Sequence, residues 1–260
     1  IANYKRAISL KPDYAEAYYN LANSYRGQRR LDDALENYCK AIDSNPMHVE
    51  ALNNLGVTLK EQGRLDEALL IHNRVIRLRP DYAEAHNNNG IVLQELGMLR
   101  EALKAFDKAI VSKPDYAEAH FNRSMALLLA AQFDEAWPEY EWRLRTKTYG
   151  LRTFQQSKWD GSLLDGQTIF VHSEQGLGDT IQFVRYLPMI KSQGGRVIFE
   201  CYPSLYLLLR ECPGIETIVE RVPSGEPVET FDVHVPLMSL PGIFGTRLNM
   251  IPSQVPYITA

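Results

Sequence analysis

Cysteine is scarce in this 260-residue sequence, with only Cys39, Cys201 and Cys212. Their odd number and the lack of any CxxC spacing point away from a disulfide framework and from a zinc site, and towards a reducing compartment. Long hydrophobic runs are missing as well. The longest, Met125 to Ala131, is far short of the ~20 residues that cross a bilayer, and the N-terminus is not signal-like. The chain therefore reads as cytoplasmic, without a membrane span. Nor is there an excess of positive charge. Residues 1–147 carry 20 basic and 21 acidic groups and residues 148–260 carry 8 and 11, so neither part offers the footprint of a nucleic-acid binder. At 45% hydrophobic and 23% charged residues, the composition is that of an ordinary folded protein with room for two domains.

What is present first is a period. Pro12, Pro46, Pro80 and Pro114 fall 34 residues apart, and Pro-Asp-Tyr-Ala-Glu-Ala stands at 12–17, 80–85 and 114–119, with Pro46-Met47-His48-Val49-Glu50-Ala51 in the same slot of the second unit. Small residues recur at two fixed places in each unit, Ala22, Gly56, Gly90 and Ser124, then Ala34, Ala68, Ala102 and Ala136. These spacings resemble the tetratricopeptide repeat, a helix pair in which small residues permit close contact and the proline opens the next unit. The expected α-solenoid has a partial unit at 1–11 and full units at 12–45, 46–79, 80–113 and 114–147. It departs from the family at the aromatic-favouring fourth position of the first helix, which holds Tyr18, Leu52, His86 and His120.

Asparagine also recurs every 34 residues, as Asn20, Asn54, Asn88 and Asn122. In the repeat family this position faces the inner groove. A column of carboxamides both donates to and accepts from peptide groups, so it suits an extended protein or peptide partner held by its backbone. It resembles the asparagine ladder of the O-GlcNAc transferases; asparagine on a merely solvated face is the plainer reading. The groove lacks the lysines of carboxylate-clamp repeats, so an acidic C-terminus is not the expected ligand. His86 and His120, one repeat and hence ~10 Å apart, are too distant to share a zinc ion, and no metal is expected.

The second helix of the fourth unit carries Pro138 and two tryptophans, which reads as a capping repeat in which the proline is either tolerated early or kinks the helix. Trp142 and Trp159 suit either docking against the next domain or ordinary core burial. From Trp159-Asp160-Gly161 onward the pattern becomes α/β. Strands are expected at 168–173, 196–201, 216–220 and 231–235, and helices at about 179–193 and 203–211. Parallel pairing follows, with a ligand site at the carboxyl ends of the strands.

The turn Ser173-Glu174-Gln175-Gly176-Leu177-Gly178-Asp179-Thr180 lies at that edge. Two glycines allow a tight turn that brings bare N–H groups to a helix start, where a sugar hydroxyl, phosphate or carboxylate is favoured. Gly176 and Gly178 match only part of GxGxxG, because Ile181 fills the third place, and a dinucleotide is not expected.

Trp159-Asp160-Gly161, the Glu174–Thr180 turn and Phe231-Asp232-Val233-His234-Val235-Pro236-Leu237 resemble bacterial proteins that fuse tetratricopeptide repeats to a heptosyltransferase-like lobe. The resemblance covers about 159–260. It implies that residues 148–260 form a Rossmann-like lobe, the N-terminal half of a GT-B glycosyltransferase, with Asp179 as candidate general base. Asp179 and Gln182 also have capping-box spacing, so the aspartate is equally read as a helix cap. Expected acceptor-binding residues are His172, Glu174, Gln175, Gly176, Gly178 and Thr180, with Arg185 in reach of a phosphate; ordinary strand-end and solvated roles are the alternatives.

In GT-B enzymes the nucleotide-sugar donor is held mostly by the C-terminal lobe, so no cofactor is expected in this chain. Ile1–Lys11 reads as a helix already under way and the α/β pattern runs to Ala260, so the chain is expected to be the front part of a longer enzyme, inactive alone. The other expectation is a non-catalytic repeat scaffold that mediates protein–protein contact.

Overall fold

Each proline of the 34-residue period ends one helix and sets up the next. The residue before a proline is driven out of the helical region by the pyrrolidine ring. Accordingly Lys11, Asn45, Arg79 and Lys113 are extended, with φ between −138 and −145 and ψ between 87 and 93. In this computed structural model, which describes residues 1–147, 152–174, 176–222 and 229–258, the chain divides into two compact units, Ile1–Ala130 and Ala131–Ala260.

The first unit holds α1 (Ala2–Leu10), α2 (Ala15–Gly27), α3 (Leu31–Ser44), α4 (Val49–Glu61), α5 (Leu65–Leu78), α6 (Ala83–Glu95), α7 (Leu99–Ser112) and α8 (Ala117–Leu129). Each helix packs chiefly on its chain neighbours, which is the helical solenoid the period predicts. Within a repeat the chain reverses through a left-handed residue, at Arg29, Gly63 and Gly97 (φ 61, 75 and 76). Glycine adopts that conformation without a Cβ penalty, and Arg29 bears it.

The small residues are needed where the aromatic-sized residues of the second helices arrive. A Cβ on Gly56 would stand 2.7 Å from the His72 ring and one on Gly90 2.6 Å from the Phe106 ring. Tyr38, His72 and Phe106 occupy equivalent places and none is exposed to solvent. The histidines at the fourth position take a different part. Nε2 of His86 lies 2.8 Å from the Pro80 carbonyl and that of His120 2.9 Å from the Pro114 carbonyl. Each ties its helix to the start of its own unit.

In the second unit, α9 (Phe133–Tyr140) is only 8 residues long and passes into a 3-10 turn at Glu141–Arg145. Pro138 supplies no N–H for the helix ladder, and the α-helix ends two residues later. The sequence places this segment in the fourth repeat; in the structure its side chains bond into the sheet unit. The Trp137 indole N–H donates to the Thr246 carbonyl at 2.8 Å, and Arg247 forms a two-pronged pair with Asp134 at 3.0 and 2.7 Å. Trp159 is a core residue of this unit, its indole N–H donating to the Ser162 carbonyl at 2.8 Å.

The strands are β1 (Ser157–Lys158), β2 (Thr168–His172), β3 (Arg196–Cys201), β4 (Thr217–Glu220) and β5 (Val233–Pro236). They form one wholly parallel sheet in the order β1-β5-β2-β3-β4. The two-residue β1 was not expected. Ile169, Val171, Val197 and Phe199 meet Val184, Leu187 and Ile190 in the core. The alternate residues Phe170 and His172 meet Phe154 instead, as the period of two along a strand requires.

The helix expected at 179–193 is three pieces: α10 (Leu177–Phe183), a 3-10 turn at Val184–Tyr186 and α11 (Leu187–Ser192). Pro188 lacks an N–H, and its ring crowds the Val184 carbonyl, so a continuous helix is excluded there. The helix expected at 203–211 is a 3-10 turn (Pro203–Leu205) followed by the single turn α12 (Tyr206–Leu209). A short helix, α13 (Leu240–Ile243), follows β5.

Candidate functional site

Strand order places the site. Going from β2 to β3 to β4 the chain moves one way across the sheet, and β5 then returns to the other side of β2. Between β2 and β5 the connections part in opposite directions, and in parallel sheets that is where a crevice opens beyond the carboxyl ends. His172 ends β2 and Pro236 ends β5. Both line a cavity of about 300 Å³.

Buried charge surrounds it. Arg143 is fully buried, and its Nε and Nη2 donate to the two oxygens of Glu174 at 3.0 and 2.9 Å. It also donates to Glu141 at 2.7 Å and to the Ser239 hydroxyl at 2.9 Å. Burial works against this charge, but Glu174 and Glu141 outweigh it and raise the guanidinium above its ordinary range. The Glu174 carboxylate also accepts the Met238 N–H at 3.2 Å. Arg152 grips Glu200, at the end of β3, by two bonds of 2.5 and 3.1 Å. Lys158 pairs with Glu141.

Two histidines share this environment. His172 Nε2 and His234 Nδ1 are 3.4 Å apart, and the Phe154 ring lies 5.1 and 4.3 Å from their ring centres. Burial, then Arg152, His234, Arg221 and Arg143, hold His172 well below the ordinary histidine range. Burial, Lys158 and Arg152 lower His234 to about 4. Both rings are neutral near pH 7.

Of the expected site residues, the structure gathers His172 and Glu174 at the cavity. Of the other expected residues of the sheet unit, none that is described lines it. Asp179 is exposed in the first turn of α10 and is not among the residues lining the cavity. Nor does it cap the helix, which starts two residues earlier with Gly176 as N-cap; that corrects the capping-box reading. Gly176 has φ 78, and a Cβ there would stand 2.4 Å from Asp179 Oδ2, so the aspartate folds back over the turn.

The Thr180 hydroxyl is turned inward and donates to the Gly176 carbonyl at 3.0 Å. Gly178 is exposed, and Gln175 lies outside the described residues. Arg185 lines a different cavity, bonded to the Gln182 and Pro252 carbonyls at 2.8 and 3.0 Å and stacked 4.2 Å from the Tyr257 ring centre. Residues that sequence reasoning missed are Arg143, Arg152, Phe154, Arg221 and His234. The one signal for them was a histidine in each of two apolar strands, at 172 and 234.

In the repeat unit the asparagine column is a bonded series. The Asn88 amide donates to Asn53 Oδ1 at 3.1 Å and the Asn122 amide to Asn87 Oδ1 at 3.0 Å. The Asn54 amide reaches Asn23 Oδ1 at 3.0 Å and the Tyr19 hydroxyl at 3.4 Å. Asn20, at the start, donates to the Glu16 carbonyl of its own helix at 2.9 Å. All four are half-buried.

Comparison with known proteins agrees with the repeat reading. The tetratricopeptide repeat family matches residues 19–83 and 87–142, and a second description of the repeat matches residues 1–28. The crystal structure of MamA is similar at 25% identity, with 55% of this chain and 83% of that one covered and a TM-score of 0.50. PilF of Pseudomonas aeruginosa is similar at 23% identity, with 55% and 65% covered and a TM-score of 0.51. PilW, a type IV pilus biogenesis factor, is similar at 22% identity, with 56% and 69% covered and a TM-score of 0.51. No curated protein sequence matches. Over its repeat segment the chain belongs to the tetratricopeptide-repeat proteins. Among the described residues no helix is long and apolar enough to cross a membrane.

Proposed function

We propose that the repeats bind an extended peptide segment of a partner protein along Asn20, Asn54, Asn88 and Asn122. The carrying observation is the bonded column: in Asn54, Asn88 and Asn122 one amide N–H is committed to the preceding repeat. In Asn88 and Asn122 the carbonyl oxygen and second N–H remain among the described residues, an acceptor and a donor for a peptide group, and in Asn54, whose amide also reaches the Tyr19 hydroxyl, the carbonyl oxygen remains. Neighbouring helices stand ~10 Å apart and an extended chain rises ~3.3 Å per residue, so about three peptide residues span one repeat. Recognition of this kind reads the backbone and not the side chains.

The test is fluorescence anisotropy of the chain with degenerate extended peptides, comparing wild type with Asn54→Ala/Asn88→Ala. Binding is expected to weaken about tenfold, as loss of ~1 kcal/mol or more of net hydrogen bonding predicts. Unchanged binding in a folded variant would reject the column as the peptide site.

For the sheet unit the proposal follows the heptosyltransferase-like resemblance: a Rossmann-like lobe forming the acceptor side of a sugar-transfer site, with Asp179 as base. The parallel sheet with its cavity at the strand ends supports this. A nucleotide-sugar panel offered to the complete natural protein, with and without Asp179→Asn, tests it. A second reading is the non-catalytic scaffold. It is favoured by the commitment of Glu174 to Arg143 and by the place of Asp179 outside the cavity. Peptide binding without sugar transfer would select it.

A further inference from the structure

The cavity at the ends of β2 and β5 gathers hydrogen-bonding capacity that the protein does not use. Three cations reach its wall, Arg152, Lys158 and Arg221. The first two face carboxylates, Glu200 and Glu141. Arg221 faces none among the described residues. Among the described residues its Nη1 alone is engaged, donating to the Ser173 and Glu174 carbonyls at 3.4 and 2.9 Å and to the Tyr202 hydroxyl at 3.1 Å. Held by one nitrogen, a guanidinium keeps the rest of its fork for an oxyanion. Glu174, the carboxylate in the wall, is neutralised by Arg143, so the field inside is positive.

The wall also contains orphans. Among the described residues the Ser173 hydroxyl and His172 Nδ1 are buried without a hydrogen-bond partner, a costly condition that a bound group relieves. The histidine pair adds a constraint of its own. Whichever ring donates across the 3.4 Å contact, two neutral imidazoles linked in this way leave one outer nitrogen as donor and the other as acceptor. A hydroxyl group matches both. The volume, about 300 Å³, is at the small end of ligand sites.

We propose that this cavity binds a small phosphorylated polyol of sugar size, its phosphate on the free edge of Arg221 and a hydroxyl on the His172–His234 pair. A phosphate monoester offers three acceptor oxygens and close to two negative charges at pH 7, against two oxygens and one charge for a carboxylate, and so engages both the open fork of Arg221 and a neighbouring donor. The site overlaps the proposed acceptor side but needs no sugar transfer, so failure of either leaves the other standing.

The experiment is calorimetric titration of the whole chain with inorganic phosphate, glucose 6-phosphate, gluconate and glucose. Saturable binding of both phosphates is expected in the millimolar range or tighter, with the hexose phosphate several-fold tighter than phosphate, gluconate weaker and glucose undetected. Arg221→Gln is expected to weaken binding at least tenfold. Ser173→Ala removes a hydroxyl with no protein partner, so it should leave melting unchanged while weakening binding severalfold; its affinity decides between site and no site if Arg221→Gln does not fold. Absence of saturation with either phosphate, or unchanged affinity in the folded variants, overturns the site. Equal affinity for phosphate and hexose phosphate overturns the polyol part, and tighter gluconate overturns the choice of phosphate.

Discussion

The repeat unit buries no aspartate, glutamate, lysine or arginine among the described residues, whereas the sheet unit buries Arg143, Glu200 and the side chain of Glu174. The polar side chains that the repeats bury are asparagine, histidine, threonine and serine, and among them Asn53, Asn87, His86 and His120 recur with the period and bond to a neighbouring turn or repeat. Such groups hold their place without desolvating a charge. The sheet unit concentrates charge once, at the strand ends, where desolvation is repaid only by close pairing. Periodic neutral groups suit a long surface that meets a partner many times. A single knot of buried charge suits one small ligand.

Three measurements test this contrast. The largest effect is expected from Arg143→Met, which leaves Glu174 buried without its partner. Loss of about 3–5 kcal/mol in urea unfolding is expected, with partial recovery in Arg143→Met/Glu174→Met. Equal damage in the double variant would mean that Arg143 acts through packing and not charge.

The next effect belongs to His72, the one member of the aromatic-sized column that can take a proton. It has no exposed surface and neither ring nitrogen has a partner. Burial, with a smaller contribution from Lys60, lowers it to about 4 from 6.5. The unfolded chain therefore binds more protons between those values, and stability is full above about pH 6.5 and falls as pH drops towards 4. The loss should approach roughly 3 kcal/mol. His72→Phe, the residue type at position 106, should flatten that part of the melting-versus-pH curve. An unchanged slope would assign it to other groups, the lowered His172 and His234 and the carboxylates.

The smallest effect is expected from Gly90→Ala, whose Cβ would stand 2.6 Å from the Phe106 ring. Overpacking should cost about 1–3 kcal/mol in thermal or urea unfolding, and Phe106→Leu should recover part of it. A neutral Gly90→Ala would show that glycine is not required by the contact.

Much of the repeat unit was legible because its information is local and repeated. The proline period, the small residues and the asparagine column each return four times, and helix after helix bonds to its chain neighbours. His86 and His120 looked like departures from the family pattern; their bonds to Pro80 and Pro114 lie within six residues, yet depend on a turn geometry that periodicity does not express. In the sheet unit the four principal strands were legible from their apolar runs. The helix expected at 179–193 was misjudged because the amphipathic pattern outweighed Pro188, and the capping-box reading of Asp179 because the turn ends earlier than its spacing implied.

The site was half legible. His172 and Glu174 stood in a turn already marked by its glycines. Their partners come from far along the chain: Arg143 from before the sheet, Arg221 from beyond β4 and His234 from β5. No spacing rule joins residues 143, 174, 221 and 234, because β5 returns to the far side of β2 only when the sheet assembles. By itself the sequence determined the helical repeats, their 34-residue period, the asparagine column and the strand-forming runs, all set by interactions between near neighbours in the chain. Only the tertiary structure decided which charges are buried, which arginine faces no carboxylate among the described residues and where the cavity lies. Those follow from strand order, which brings distant residues into one low-dielectric place where each must find a partner.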